Sequence, residues 1–124
     1  MANSPDRYED VRGVIQDLLV TPLDGVTEIR TRKNSIRGNH FHKATTQWTY
    51  FTSGRMLIVT EGPGHPRQER EYGPGEMACE EPGISHAWQA LEDTVCLVFS
   101  RGPRTGQAYE SDTYRLEVPL LCAP

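Results

Sequence analysis

The sequence predicts an all-β chain folded as one small barrel or jelly roll. Short β-prone segments recur along its 124 residues, the richest at 47–52 with Trp48, Tyr50 and Phe51. The 11 glycines and 9 prolines fall between such segments, where tight turns need them. No long stretch shows the 3.6-residue apolar spacing of an amphipathic helix.

The length suits a single domain over 1–124, with a lead-in at 1–13 and a core over about 14–118. Residues 14–20 are apolar apart from Gln16 and Asp17. Gly13 and Pro22 bracket them, which favours a strand over a short helix. Residues 26–32 set Val26, Glu28 and Arg30 against Thr27, Ile29 and Thr31, the period of a strand. A turn follows at 33–35, then a strand over 37–43 and another over 47–52. Ser53-Gly54 reads as a hairpin turn into 55–60. The charged, Pro- and Gly-rich segment 61–75 is expected to be a loop or a loose hairpin. A short strand at 76–80 meets the turn Pro82-Gly83, which leads into a strand bearing His86. Asp93 marks a turn before the apolar strand 95–100. The tail holds Tyr109, Asp112 and Tyr114, then a short run at 115–121. Neither an internal repeat nor a low-complexity tract is present.

A net charge of −4 and a pI near 5.5 argue against a large nucleic-acid surface, while leaving local arginine clusters able to hold an anionic small molecule. No run of 18 apolar residues occurs, so neither a membrane span nor a membrane partner is expected. The polar, acidic N-terminal stretch lacks the basic and apolar regions of a secretory signal. Cys79, Cys96 and Cys122 are odd in number and widely spaced, and Cys96 sits in an apolar strand. A buried thiol at Cys96 and a cytoplasmic location are the expectation.

The chemistry concentrates in histidine. His40 and His42 stand one residue apart in Arg37-Gly38-Asn39-His40-Phe41-His42-Lys43. Gln47 follows, then Gly54, and His86 closes Pro82-Gly83-Ile84-Ser85-His86. Strand side chains alternate faces, so His40 and His42 point the same way, and Gln47 rejoins them on the next strand. Three imidazoles and an amide oxygen inside a barrel make either a metal site or an acid/base site. His65, in the Gly/Pro-rich segment, is expected to be solvated.

The frame Gly38, His40, His42, Gln47, Gly54, followed by Gly75, Pro82, Gly83 and His86, resembles the two motifs of the cupin superfamily. The resemblance runs over roughly residues 25–100 and implies a single cupin-type jelly-roll β-barrel. Gln47 stands where the family usually has a glutamate ligand, and Glu81 where it often has proline. Arg37-Gly38-Asn39-His40-Phe41-His42-Lys43, with the late string Tyr109-Glu110-Ser111-Asp112-Thr113-Tyr114, is similar to nucleotide-sugar 3,4-ketoisomerases. The stretch from Gly38 to His42 is equally similar to the metal-bearing cupin domains of capsular-polysaccharide sugar reductases and epimerases. The first likeness implies acid/base work by His40 and His42 and a pyrophosphate contact from Arg37. A homodimer is implied by resemblance only.

Residue chemistry leaves both versions of the site open. In one, His40, His42, Gln47 and His86 hold a divalent metal (Zn, Ni, Fe, Mn or Co) with no organic cofactor. In the other, His40 and His42 move protons directly. Arg37 and Arg30 suit a phosphate edge, since guanidinium grips phosphate bidentately. Trp88, with Trp48 and Tyr50, suits stacking on substrate or a place in the core. Glu80 and Glu81 read as a solvated acidic rim at the barrel mouth. The expected function is an isomerase or epimerase on a keto sugar, nucleotide-linked. The alternatives are a metal-dependent oxygenase or lyase on a small organic acid or ketone, and a sugar- or metal-binding module without turnover.

Overall fold

The β-prone segments pair into two antiparallel sheets whose apolar faces meet. The structure, a computed structural model, describes residues 7–103 and 106–122. The elements run β1 (Arg7–Asp10), β2 (Gly13–Gln16), β3 (Gly25–Thr31), β4 (Ile36–Phe41), β5 (Thr46–Ser53), β6 (Met56–Gly62), β7 (His65–Tyr72), β8 (Met77–Glu80), β9 (Ser85–Ala90), β10 (Thr94–Arg101), α1 (Gly106–Ser111) and β11 (Tyr114–Arg115). One sheet has the order β3-β10-β5-β8, the other β11-β4-β9-β6-β7. This is the all-β, jelly-roll-like architecture that the sequence predicts.

Each sheet contributes half the core. Phe51, Ala78, Cys96 and Val98 come from the first, and Met56, Ile58, Trp88 and Ala90 from the second. Alternation brings these residues inward on every second position, and their joint burial drives the sheets together. Toward one end of the first sheet the inward row turns polar. Ser100, Gln47 and Glu80 lie in register across β10, β5 and β8, and all three are buried. The next row, Val98, Thr49 and Ala78, is mostly apolar. The histidines of the second sheet face this polar end.

A β-bulge sets the direction of the histidine strand. Arg37 pairs with Trp88 and Gly38 with Ala87, but His40 pairs with His86, so β4 spends one extra residue at Asn39. Gly38 and Asn39 take positive φ angles of 88° and 57°. Glycine is required at the first: a Cβ there would lie 2.9 Å from the His86 carbonyl oxygen and 3.2 Å from the Ala87 Cα. Asparagine tolerates the left-handed region. Its side chain ties down the C-terminal segment, Nδ2 donating to the Leu121 carbonyl and Oδ1 accepting from the Leu120 and Leu121 amides.

Three local expectations are corrected. Residues 7–10 are not a loose lead-in but β1, paired with β2 in a sheet of two strands; residues 1–6 lie outside the described residues. The expected strand at 14–20 ends at Gln16, because Asp17 interrupts the alternation and β2 has no barrel strand beside it. Of the loop or loose hairpin expected at 61–75, the loop is ruled out: β6 and β7 form an ordered hairpin around Pro63-Gly64. Its Pro66 is tolerated because β7 is an edge strand, where a missing N–H breaks no ladder.

The bulge gives a direct test. Gly38→Ala should lose about 1–3 kcal/mol of stability, the cost of a strained backbone with a close contact. Urea denaturation reads this as a lower midpoint; an unchanged midpoint would show that β4 relaxes without the glycine.

Candidate functional site

The two sheets bring His40, His42 and His86 into one cluster. His40 and His86 are cross-strand partners on β4 and β9, and His42 lies just past the end of β4. Ring centroids are 4.9 Å apart for His40 and His42, 4.7 Å for His40 and His86, and 5.6 Å for His42 and His86. One ring nitrogen from each falls within 4.8 Å of the other two. His42 and His86 are buried and His40 is half-buried.

A hydrogen bond fixes which nitrogen of the His42 ring carries its proton. The His42 Nδ1 lies 2.9 Å from the Asp112 carbonyl oxygen. A carbonyl can only accept, so Nδ1 donates, and Nε2 of the neutral ring keeps its lone pair. That Nε2 is buried with no partner among the described residues. Asp112 is itself locked in place. Its carboxylate accepts from the Lys43 and Ala44 amides and from the Thr45 hydroxyl. His86 Nε2 lies 3.1 Å from Glu80 Oε2, which also receives the Trp88 indole N–H at 3.3 Å. Glu80 Oε1 accepts from the Thr49 hydroxyl. His86 also has a hydrogen bond with the Ile84 backbone.

Burial sets the protonation. It lowers His40 to about 3, with the neighbouring His86 and His42 adding like-charge repulsion. It lowers His86 to about 4, again helped by His42. Burial raises Glu80 to about 7, against the hydrogen bonds from Thr49 and Trp88 that favour its ionised form. For Asp112 burial works upward, but the Thr45 hydroxyl and the Lys43 and Ala44 amides outweigh it and hold the carboxyl below its ordinary value. Near neutral pH, His40 and His86 are therefore uncharged, the form needed to take a proton or bind a metal.

The cluster opens on a cavity of about 210 Å³ whose wall includes Arg37, His40, Gln47, His86, Trp88 and Tyr109. Gln47 is buried in β5 on that wall. Straight alternation would put Arg37 and His40 on opposite faces; the bulge lets both line the cavity. The Arg37 guanidinium is braced, Nε donating to Thr31 Oγ1 at 3.0 Å and Nη2 to the Arg30 carbonyl at 3.1 Å. Arg37 also lines a neighbouring groove with Arg30 and Arg32. Arg30 itself points outward from β3, paired with Glu28 at 2.9 Å, and does not line the histidine cavity. Trp88 is on the wall, but its indole N–H is committed to Glu80. His65 is half-buried rather than solvated, bonded to Thr60 Oγ1 at 2.8 Å.

Glu80 is the main correction. Only Glu81 belongs to an exposed rim; Glu80 is 4% exposed. Alternation along β8 buries Ala78 with Glu80 and leaves Met77 and Cys79 half-buried, so period two outweighs hydrophobicity. The role of the Asp112 carbonyl has no signal in the sequence, because it comes from a tail 70 residues away from His42. Tyr109, on α1, packs on His42 with centroids 5.4 Å apart.

Residues 18–111 match the family model described as Cupin. The chain belongs to the cupin family. Among curated proteins this cupin is 31% identical over 91 residues to a probable oxalate decarboxylase of Arthroderma benhamiae. That match takes in 72% of the chain but spans only 22% of the relative's length. Among solved structures it is similar to QdtA, a sugar 3,4-ketoisomerase from Thermoanaerobacterium thermosaccharolyticum in complex with TDP. The TM-score is 0.73 at 16% identity, over 92% of this cupin and 85% of QdtA. It is also similar to a dTDP-4-dehydrorhamnose 3,5-epimerase from Sulfolobus tokodaii, with a TM-score of 0.64 at 20% identity over 83% of this chain and 70% of that one. At these identities the structural likeness is one of fold.

The residues of this cupin fit a divalent metal. A buried lone pair at His42 Nε2 has no partner among the described residues, and one ring nitrogen each from His40, His42 and His86 converge. The His42 ring is held from behind by a carbonyl, as metal-bound imidazoles commonly are.

The low-lying histidines make stability depend on pH. His40 and His86 titrate lower in the folded protein than in the unfolded chain, so the unfolded state binds more protons between about pH 3 and the ordinary imidazole value. Their contribution is complete above that ordinary value and disappears as pH falls. The raised Glu80 acts in the opposite sense, but two histidines oppose one carboxyl. The thermal midpoint of metal-free protein should therefore fall steadily from about pH 6.5 to 4. A flat profile across that range would mean that the imidazoles are not buried together.

Proposed function

We propose that this cupin is an isomerase or epimerase acting on a keto sugar, with a nucleotide-linked sugar as its substrate. The observation that carries the reading is a cluster of imidazoles on a cavity that shares Arg37 with an arginine-lined groove. The fold it shares with QdtA and the epimerase supports it. Shifting a proton beside a ketone needs a base at the carbon and a proton donor at the oxygen. His40 lines the cavity and takes the proton from the carbon; with His42, whose ring centroid is 4.9 Å away, it holds that proton and hands it to the substrate oxygen, so the pair fills both roles. Arg37, already braced by Thr31 and Arg30, receives the diphosphate with little further ordering, and Arg30 supports it from the groove. Trp88 gives the sugar a flat wall.

His40, His42 and His86, with the Gln47 carbonyl oxygen, are the residues that would hold a divalent metal. Such an ion supplies Lewis-acid polarisation of a substrate carbonyl. A second reading, a metal-dependent lyase or oxygenase on a small organic acid or ketone, is favoured by the unpaired buried nitrogen of His42 and by the likeness to the oxalate decarboxylase. A reducing cytoplasm suits three cysteines that form no disulfide, and pairing of two copies suits the apolar Tyr8, Val11 and Ile15 exposed on the β1–β2 hairpin.

Calorimetric titration with dTDP separates the readings, together with elemental analysis of protein purified without added metal. Binding of dTDP supports the keto-sugar reading. A stoichiometric redox-active metal with oxygen uptake, and no dTDP binding, overturns it in favour of the second. Sugar binding with neither turnover nor dTDP recognition leaves a binding module. On a keto-sugar substrate, His42→Ala should lower the rate by about 10²–10⁴ and leave the circular dichroism spectrum unchanged; undiminished turnover would remove His42 from the chemistry. Gln47→Glu should tighten zinc binding, because a carboxylate adds a full charge at the cation. Unaltered zinc affinity in that variant would place Gln47 outside the ligand set.

A further inference from the structure

We infer that Arg32 is a second diphosphate-binding arginine, and that the groove it shares with Arg37 grips the diphosphate of a substrate rather than its base. This role for Arg32 deepens the keto-sugar reading and rests on it for the sugar at the other end of the ligand. Arg37 stands where two spaces of different size meet: the histidine cavity of about 210 Å³ and a groove of about 610 Å³. The sugar belongs in the first, beside the imidazoles, and the larger, anionic part of the ligand in the second.

Three arginines line the groove, and their partners separate them. Arg30 is paired with Glu28 at 2.9 Å. Arg37 donates to the Thr31 hydroxyl and the Arg30 carbonyl, and neither compensates its charge. The Arg32 side chain makes no hydrogen bond or ion pair among the described residues. Arg32 directly follows Thr31, the residue that braces Arg37, so the two uncompensated arginines are anchored side by side. A guanidinium binds phosphate through two parallel N–H donors, so this pair offers one fork to each phosphate of a diphosphate. The carboxylate on the groove wall, Asp93, accepts from the Lys33 amide at 2.8 Å. It repels phosphate and so confines the diphosphate to the arginines. Among the described residues that line the groove none is aromatic. A base there has no ring to stack on, a contact ordinarily worth about 5–150-fold in affinity.

The test is calorimetric titration of the full chain, at one low ionic strength, with inorganic diphosphate, orthophosphate, dTDP and dTMP. Diphosphate should bind within about tenfold of dTDP and more tightly than dTMP, because losing the nucleoside costs less than losing a phosphate. Arg32→Ala should weaken diphosphate binding about tenfold or more and erase its advantage over orthophosphate. Arg30→Ala, which removes a guanidinium already held by Glu28, should cost less. Arg32 is exposed, so its truncation leaves the fold intact. The inference is overturned by dTMP binding more tightly than diphosphate, by undiminished diphosphate affinity in Arg32→Ala, by an equal loss in Arg30→Ala, or by no diphosphate binding at all. Turnover of a keto-sugar nucleotide whose binding ignores Arg32 leaves the keto-sugar reading standing and removes Arg32 from it. Arg32-dependent diphosphate binding without such turnover does the reverse: the groove stands and the keto-sugar reading fails.

Discussion

The bulge at Gly38-Asn39 is the constraint on which the rest of the site depends. An extra residue in β4 lets Arg37 and His40, three apart, look into the same cavity. It also turns the Asn39 side chain toward the C-terminal segment, which it holds through Leu120 and Leu121. That segment follows α1 and Asp112, and Asp112 supplies the carbonyl that orients His42. One irregularity therefore reaches two of the three histidines: His40 directly, and His42 through the tail. Gly38 makes this possible, since no side chain fits against the His86 backbone there.

The polar end of the barrel is expensive. His42 Nε2 and Ser100 Oγ are buried without partners among the described residues, and a buried carboxyl sits near them. Each such group ordinarily costs a few kcal/mol when left unpaired. The apolar rows beneath, with Phe51, Met56, Cys96 and Val98 close to fully buried, offset that cost. The apolar core is concentrated at one end and the imidazole cluster at the other. The two are separated by the single row holding Val98, Thr49 and Ala78, whose Thr49 also bonds to Glu80.

Electrostatics divides the two arginines that look alike in sequence. Arg30 and Arg37 lie on adjoining strands of opposite sheets. Arg30 follows the plain alternation of β3, faces outward and finds Glu28 two residues away. Arg37 precedes a bulge, is paired with inward Trp88, and is braced by a hydroxyl and a carbonyl, neither of which neutralises it. Its positive charge remains available at the junction of cavity and groove, where an anionic substituent of a substrate would lie.

The sequence alone determined what period and residue type determine. The strands, the turns at Gly54 and Pro82-Gly83, and the shared face of His40 and His42 follow from alternation and turn chemistry, which are local. The partnership of His86 with that pair was legible only because two motifs stand in a fixed order. Charge argued for a solvated Glu80, and only the closed barrel shows it buried. From sequence, 61–75 reads as a loop or a loose hairpin without a choice between them, because charge and proline obscure an edge strand that buries little. The tertiary structure alone decided the bulge that turns Arg37 inward, the Asp112 carbonyl behind His42 and the Glu80–Trp88 pair behind His86. Each depends on a contact whose partners are set by how two sheets and a tail close on one another, and no local pattern encodes it.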